Sequence, residues 1–225
     1  MNTRDDFDRW LYAAGHDLAE PARTIKSFLD LLQRRHGAAL DGEAREFVGF
    51  AVDAASRLET MLAALQEFGR IGQEPCPGEP VDLGAVLPGV VAGFDARLAE
   101  TGGRVEIGSL PMVRGSRKLW RRLFVILLDN ALLYCSSAPP VIRIVGEPAR
   151  ITVADNGIGI DPRFHARIFE PFQRLHNRDA IPGCGMGLTV ARRIAAQMGF
   201  SLDVEAGEDG GSVFVVGLQH PQSTP

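Results

Sequence analysis

The sequence predicts a multidomain protein, all-α at its N-terminus and α+β beyond it. The N-terminal part is predicted to be a helical hairpin that forms a four-helix bundle as a dimer, and the remainder an α/β sandwich. Three observations support this: two apolar heptad seams near the N-terminus, a Pro/Gly-rich break after them, and strand and helix patterns that surround two glycine clusters.

The hairpin prediction rests on apolar residues whose spacing alternates between three and four, as in a heptad repeat. The first helix is predicted at about residues 5–35, and the second begins after an N-cap at Asp41. Because one hairpin cannot bury both seams alone, we expect a homodimer; the alternative is a hairpin that packs on its own second domain. The seams are Leu11, Ala14, Leu18, Pro21, Ile25, Phe28 and Leu32, then Ala44, Phe47, Ala51, Ala54, Leu58, Met61, Leu65 and Phe68.

The domain bounds follow from the break in composition. We predict the hairpin domain at residues 1–72, a Pro/Gly-rich linker at 73–80 and the second domain at 81–219. The stretch 156–186 shows little periodicity, which is typical of a functional lid. The second domain is predicted to have helices at 83–98, 116–135 and 187–198, and strands at 104–108, 141–145, 151–154, 202–205 and 212–217.

Composition excludes several classes of protein. The 225 residues carry a formal net charge of -4, which gives no basic signature for nucleic-acid binding. Cys76, Cys135 and Cys184 lack metal-type or disulfide spacing and are expected to be reduced thiols. No apolar run approaches the roughly 18 residues of a membrane span. Without a signal peptide either, the chain is expected to be cytoplasmic.

His16 is a candidate functional residue on the first helix. It lies two positions after the seam residue Ala14 and so is predicted to point away from the seam. Most helical histidines are ordinary surface residues, but the adjacent Asp17 can orient an imidazole or accept its proton. Pro21 removes a backbone hydrogen bond and predicts a kink just beyond His16. His16 and Asp17 are therefore candidate catalytic residues.

A nucleotide site is predicted where a strand ends in a carboxylate and two glycine clusters follow. Asp155 can accept a hydrogen bond from an exocyclic amine such as that of adenine. The helix after the second cluster has an N-terminus that favours phosphate. Either cluster alone is also explained by a hairpin turn or a loop. The clusters contain Gly157 and Gly159, then Gly183, Gly185 and Gly187 followed by Leu188.

These segments resemble, in order, five motifs of bacterial sensor histidine kinases. The resemblance spans nearly the whole chain, and residues 174–176 after the F box look closest to phytochrome-associated kinases. It implies a dimerisation and histidine-phosphotransfer hairpin followed by an ATP-binding domain of the gyrase and histidine kinase superfamily. The segments are HDLAEPAR at 16–23 (H box), LLDNALLY at 127–134 (N box), DNGIGI at 155–160 (first glycine box), IFEPF at 168–172 (F box) and GCGMGL at 183–188 (second glycine box).

The resemblance implies an ATP-dependent protein-histidine kinase of a two-component system. His16 would be autophosphorylated and would pass its phosphoryl group to an aspartate of a response regulator receiver domain. Asp17 would take the imidazole proton and Asn130 would bind Mg²⁺. The nucleotide contacts would be Asn130, Asp155, Gly157, Gly159, Gly183, Gly185, Gly187 and Leu188. The lid residues Arg174 and Arg178 could neutralise phosphate charge.

Three positions depart from the family pattern. Ile126 replaces a usual Asn and Leu133 a usual basic residue, which predicts a slow kinase unless both lie deep in the core. Glu20 stands where many members have the Thr or Asn linked to phosphatase activity. Two alternatives follow: a histidine phosphotransfer adaptor with a weakened or vestigial ATP domain, and a serine kinase or plain ATPase of the same superfamily. Because fifteen residues precede His16, any sensor domain is expected to be separate or removed.

Overall fold

The computed structural model describes residues 3–135, 139–175, 183–207 and 210–218. Its chain divides into two compact units, Met1–Glu74 and Pro75–Pro225.

The first unit is a hairpin of two long helices. Helix α1 spans Thr3–His36 and continues through Pro21, and helix α2 spans Gly42–Gln73. Asp41 caps α2, because its side chain accepts a hydrogen bond of 2.7 Å from the backbone amide of Ala44. The predicted hairpin is therefore present, with helices that extend slightly beyond the predicted bounds.

The line of contact between α1 and α2 differs from the predicted seams. Residues at intervals of seven are buried along it, and several are small, which lets the two backbones approach closely. These residues are Asp8, Gly15 and Ala22 on α1, and Ala55, Leu62 and Gly69 on α2. The predicted seams turn a second face outward: Leu18, Ile25 and Phe28 on α1 are 56%, 54% and 67% exposed in the single chain.

The second unit alternates helices and strands. Its helices are α3 Leu83–Val91, α4 Asp95–Thr101, α5 Arg117–Leu133 and α6 Gly187–Gln197. Its strands are β1 Glu79–Asp82, β2 Arg104–Ile107, β3 Met112–Gly115, β4 Val141–Glu147, β5 Arg150–Asp155, β6 Ser201–Ala206 and β7 Ser212–Gly217. Short 3₁₀ turns lie at Ala92–Phe94, Pro162–Phe164 and Arg167–Phe169.

The main sheet is five-stranded and mixed. Its order is β2-β4-β5-β7-β6, in which β2 runs parallel to β4 and the other pairs are antiparallel. Strands β1 and β3 form a separate antiparallel pair that the sequence analysis did not predict. The predicted helix 83–98 is broken by the turn Ala92–Phe94, which contains a glycine, a weak helix former. Glu79 and Pro80, assigned to the linker from sequence, begin β1.

One face of the main sheet is covered and the other faces outward. Along β4 and β5 every second residue is buried, as a half-covered sheet requires. The buried residues include Ile142, Ile144, Ile151, Val153, Phe214 and Val216 on the sheet and Trp120, Leu123, Phe124, Leu127 and Leu128 on α5. Within the described ranges no helix is long and apolar enough to cross a membrane.

Candidate nucleotide site and candidate phosphoacceptor histidine

Asp155 ends β5, a central strand of the sheet. It continues the alternation of Ile151 and Val153, so its side chain lies on the helix-covered face. The Oδ1 atom accepts hydrogen bonds from the backbone amides of Gly157, at 2.8 Å, and Ser212, at 3.1 Å. Burial raises the pKa of the Asp155 carboxyl above its ordinary value, and these two hydrogen bonds partly oppose the rise. The fold thus holds this carboxylate in one orientation.

A cleft of about 510 Å³ opens beside Asp155. Within the described residues no hydrogen bond reaches Oδ2 of Asp155, so this atom remains able to accept one from a ligand amine. The rest of the lining is largely apolar, which suits a planar base. The lining also includes Asn130, Tyr134, Ile158, Gly159, Ile160, Ile168, Gln173, Arg174, Leu175, Leu188 and Ser212. We name this space the base cavity.

Gly157 has a different role from the one predicted. It does not line the base cavity; its amide holds Asp155, and the chain here packs on the end of α5. A Cβ at position 157 would lie 2.4 Å from the carbonyl oxygen of Tyr134, so only glycine fits. The Ile158 amide donates a 3.1 Å hydrogen bond to the same carbonyl oxygen. The first glycine box therefore joins β5 to the N-box helix.

A second, larger space of about 1090 Å³ adjoins the base cavity. Asn130, Tyr134 and Leu188 line both, which makes the two spaces neighbours along α5. Only the second is lined by Gly183, Gly185 and Gly187, at the start of α6. Phe94, Arg122, Val125, Ile126, Asp129, Leu133, Ile168, Gln173, Arg174 and Cys184 complete the lining. We name this space the tail cavity.

The second glycine box packs against the lid. Gly185 has φ +77, and a Cβ there would lie 2.6 Å from the carbonyl oxygen of Gln173. Arg174 donates a 2.7 Å hydrogen bond from Nη1 to the carbonyl oxygen of Gly183. The structure thus brings Arg174 to the edge of the tail cavity, as predicted for a lid cation. Arg178, the other predicted cation, lies outside the described residues.

The F box packs on its own domain. Ile168 and Phe169 are buried, and the Arg192 guanidinium lies 4.4 Å from the centre of the Phe169 ring. Phe172 differs, since it is 37% exposed and has φ 61, an uncommon value for a residue other than glycine.

The two apolar departures lie beside Asn130, as their helical spacing predicts. Ile126 is 7% exposed, whereas Leu133 is half-buried, and both line the tail cavity. Ile126 is therefore part of the core beneath the tail cavity, whereas Leu133 is more exposed to that cavity.

Sequence reasoning missed two charged groups at the tail cavity. Asp129 immediately precedes Asn130 and forms an ion pair with Arg97 on α4. Arg122 lies two helical turns before Asn130 on α5 and also lines the cavity. The eight-residue interval between Arg122 and Asn130 was the available signal, because residues so spaced share a helix face.

His16 lies on the outward surface of α1, as predicted. Its side chain is 71% exposed and that of Asp17 is 81% exposed. Nδ1 of His16 lies 3.2 Å from Oδ1 of Asp17, within hydrogen-bond distance. This leaves Nε2 directed away from the carboxylate and open to solvent.

Comparisons with known proteins give the same picture. Residues 115–222 match the family of histidine kinase-, DNA gyrase B- and HSP90-like ATPases. Over 213 residues the chain is 32% identical to phytochrome-like protein Cph1 of Synechocystis sp., covering 93% of this chain and 28% of the relative. The chain spans less than a third of the length of the first curated relatives it matches.

Two solved structures share the fold. Full-length ShkA in complex with AMPPNP has a TM-score of 0.65 at 23% identity, covering 92% of this chain and 45% of that one. Histidine kinase ThkA in complex with response regulator protein TrrA has a TM-score of 0.65 at 18% identity, covering 99% of this chain and 66% of that one. With the five motifs and the paired cavities, these likenesses show that residues 115–222 belong to the histidine kinase-, DNA gyrase B- and HSP90-like ATPases and that the chain has the catalytic core of a sensor histidine kinase.

Proposed function

We propose that this chain phosphorylates its own His16 with ATP and passes the phosphoryl group to an aspartate of a response regulator receiver domain. The observation that carries the proposal is the pair of adjoining cavities, one beside a fixed carboxylate and one beside Asn130 and three glycines. An exposed histidine next to a carboxylate, in the other unit, supplies the acceptor.

ATP fits the two cavities in one direction. The adenine amine would donate to Oδ2 of Asp155, and the ring would lie against Ile158, Ile160 and other apolar residues of the base cavity. The phosphates would then pass Asn130 into the tail cavity, where the amides at the start of α6 favour negative charge.

Mg²⁺ is implied by the family, and the donors present are compatible with it. Mg²⁺ prefers oxygen ligands and is commonly held by one or two protein groups together with substrate phosphates. Asn130 offers an amide oxygen at the junction of the two cavities. Bound there, the ion would neutralise phosphate charge.

The chemistry of the acceptor follows from the contact between His16 and Asp17. In the tautomer with the proton on Nδ1, Asp17 accepts that proton while the lone pair of Nε2 attacks the γ-phosphorus. The bond from the γ-phosphorus to the β–γ bridging oxygen breaks, and ADP leaves with that oxygen. Asp17 thus stabilises the positive charge that develops on the imidazole.

A homodimer is part of the proposal. Exposed large apolar side chains on both helices would be covered by a second hairpin in a four-helix bundle. They are Phe7, Leu18, Ile25, Phe28 and Leu32 on α1, and Phe47, Phe50 and Leu58 on α2. The complex of the related-fold kinase ThkA with TrrA supports a receiver domain as the second partner, and an upstream sensor domain would supply the signal.

The test is incubation with γ-labelled ATP and Mg²⁺. The proposal is supported if the wild-type protein acquires an acid-labile label. His16→Gln should acquire no label while it still binds ATP. An acid-stable label would identify a hydroxyl acceptor instead. If ATP binds but no label transfers, while a phosphorylated receiver domain phosphorylates His16, the chain is a phosphotransfer adaptor, the alternative that the apolar Ile126 and Leu133 favour.

A further inference from the structure

The tail cavity has a cation on its α5 side that the family motifs do not assign. Among the described residues, two arginines line this cavity, Arg122 and Arg174. Leu133 stands where a basic residue was expected, so the wall beside Asn130 is apolar at that point. If a triphosphate binds in this cavity, a residue other than Leu133 must neutralise the negative charge of its phosphates.

Arg97 and Arg174 each contact a particular group beside the cavity. Arg97 forms an ion pair with the Asp129 carboxylate. Arg174 donates to the carbonyl oxygen of Gly183, which holds it at the glycine-box side. Arg122 lines the same cavity from α5.

Its position along α5 matches the far end of a bound nucleotide. Of the two cavities, Asp155 lines the base cavity, Asn130 lines both, and Arg122 lines the tail cavity. A nucleotide with adenine at Asp155 therefore extends its phosphates past Asn130 towards Arg122. The eight residues from Arg122 to Asn130 span about 12 Å of helix.

Ile126 lies between Arg122 and Asn130 on α5. Arg122, Ile126 and Asn130 follow each other at intervals of four and share one face of α5. Ile126 is buried and apolar, so this face of α5 carries no competing charge between Arg122 and Asn130. Guanidinium binds phosphate oxygens with two parallel hydrogen bonds, which favours a terminal phosphate.

We propose that Arg122 binds the γ-phosphate of ATP and supplies the cation that Leu133 does not. This inference rests on the proposed function and adds to it a residue that distinguishes ATP from ADP. In the reaction, the same contact holds the γ-phosphorus for attack and stabilises the charge on its oxygens.

Calorimetric titration of the full chain with Mg²⁺ and either ADP or a non-hydrolysable ATP analogue tests it. Arg122→Gln should weaken binding of the ATP analogue at least about tenfold, the effect of losing a charge-assisted hydrogen bond. It should change ADP binding less than about twofold, because ADP lacks the group contacted. Arg122→Lys should restore part of the loss. Arg121→Gln, an exposed neighbour that lines neither cavity, is the matched control and should leave both affinities unchanged.

Two results would overturn the role of Arg122. One is an unchanged ratio of ATP-analogue to ADP affinity in Arg122→Gln. The other is an equal loss for both nucleotides with a lower melting temperature, which would make Arg122 a structural residue of α5. A wild-type chain that binds neither nucleotide would instead refute the proposed function itself, so the two failures are distinguishable.

Discussion

The backbone amide of Ser212 on β7 donates a 3.1 Å hydrogen bond to Oδ1 of Asp155 on the neighbouring strand β5. Together with the amide of Gly157, it fixes Oδ1 of a carboxylate that lines the base cavity, and among the described residues no hydrogen bond reaches Oδ2. The arrangement separates two roles of Asp155: Oδ1 belongs to the fold, and Oδ2 is available to the ligand.

Substitutions of Asp155 should separate these roles. Asp155→Asn retains an oxygen for the two amides and should keep the fold, but it weakens the acceptor offered to adenine. Asp155→Ala also leaves the Gly157 and Ser212 amides without their acceptor. We expect both variants to bind ATP more weakly, Asp155→Ala by about 1.5–3 kcal/mol. Only Asp155→Ala should have a clearly lower melting temperature. Calorimetry and thermal unfolding measure this. Unchanged ATP affinity in both variants would leave Asp155 as a turn residue.

The raised pKa of Asp155 predicts a pH dependence of stability. Burial disfavours the ionised form, so the folded state holds this proton to a higher pH than the unfolded state does. The contribution of Asp155 to the free energy of unfolding is therefore fully present at pH below its ordinary pKa and is lost as pH rises through the raised one. Denaturant unfolding of the nucleotide-free chain should show that the free energy of unfolding falls less with rising pH in Asp155→Asn than in the wild type, because the amide cannot ionise. Parallel curves for the two proteins would contradict the prediction.

Removing the carboxylate next to His16 should slow phosphorylation without affecting nucleotide binding. Asp17→Asn replaces the proton acceptor, 3.2 Å from Nδ1 of His16, with an amide. General-base contributions are typically about 10²–10⁴-fold, and a solvent-exposed pair should lie at the low end or below it. Single-turnover labelling measures the rate, and ATP titration is the control. A normal rate would show that water takes the proton.

The outward apolar face of the hairpin should hold a dimer. Leu18 is 56% exposed in the single chain, so Leu18→Asp costs the hairpin little but would bury an unpaired charge in a bundle. Sedimentation should therefore show a folded monomer. Leu62→Asp is the contrasting variant, because Leu62 is 4% exposed and its substitution should unfold the hairpin. A wild-type chain that sediments as a monomer at micromolar concentration would contradict the bundle.

The two apolar departures on α5 should respond differently to polar substitution. Leu133 lines the tail cavity and is half-buried, so Leu133→Lys can extend its ammonium into the cavity and should tighten Mg·ATP binding or speed autophosphorylation. Ile126 is 7% exposed, and Ile126→Asn should cost about 1–3 kcal/mol of stability for an unpartnered buried amide. Titration, labelling and thermal melts distinguish them. A lower melting temperature for Leu133→Lys with no gain in affinity or rate would make Leu133 a core residue.

The sequence by itself predicted the hairpin, the five strands of the main sheet and the segments that line the two cavities. Heptad spacing, the Asp41 cap and the alternating strands are local signals, because they depend on residues close together in the chain. Asp155, Asn130 and the second glycine cluster were recognisable since each sits at the end of, or within, a strongly periodic segment. His16 was predicted to face outward by its offset from a seam.

The tertiary structure decided which residues share a cavity and which helix faces meet. It separated Gly157, which fits against Tyr134, from Gly185 and Gly187, which line the tail cavity. It also showed that α1 and α2 meet along small residues rather than along the predicted seams. The pairing of Arg97 with Asp129 joins residues 32 positions apart in sequence, and Ser212 reaches Asp155 across 57. Such contacts arise only when packing brings distant segments together, so a pattern read along one chain could not contain them.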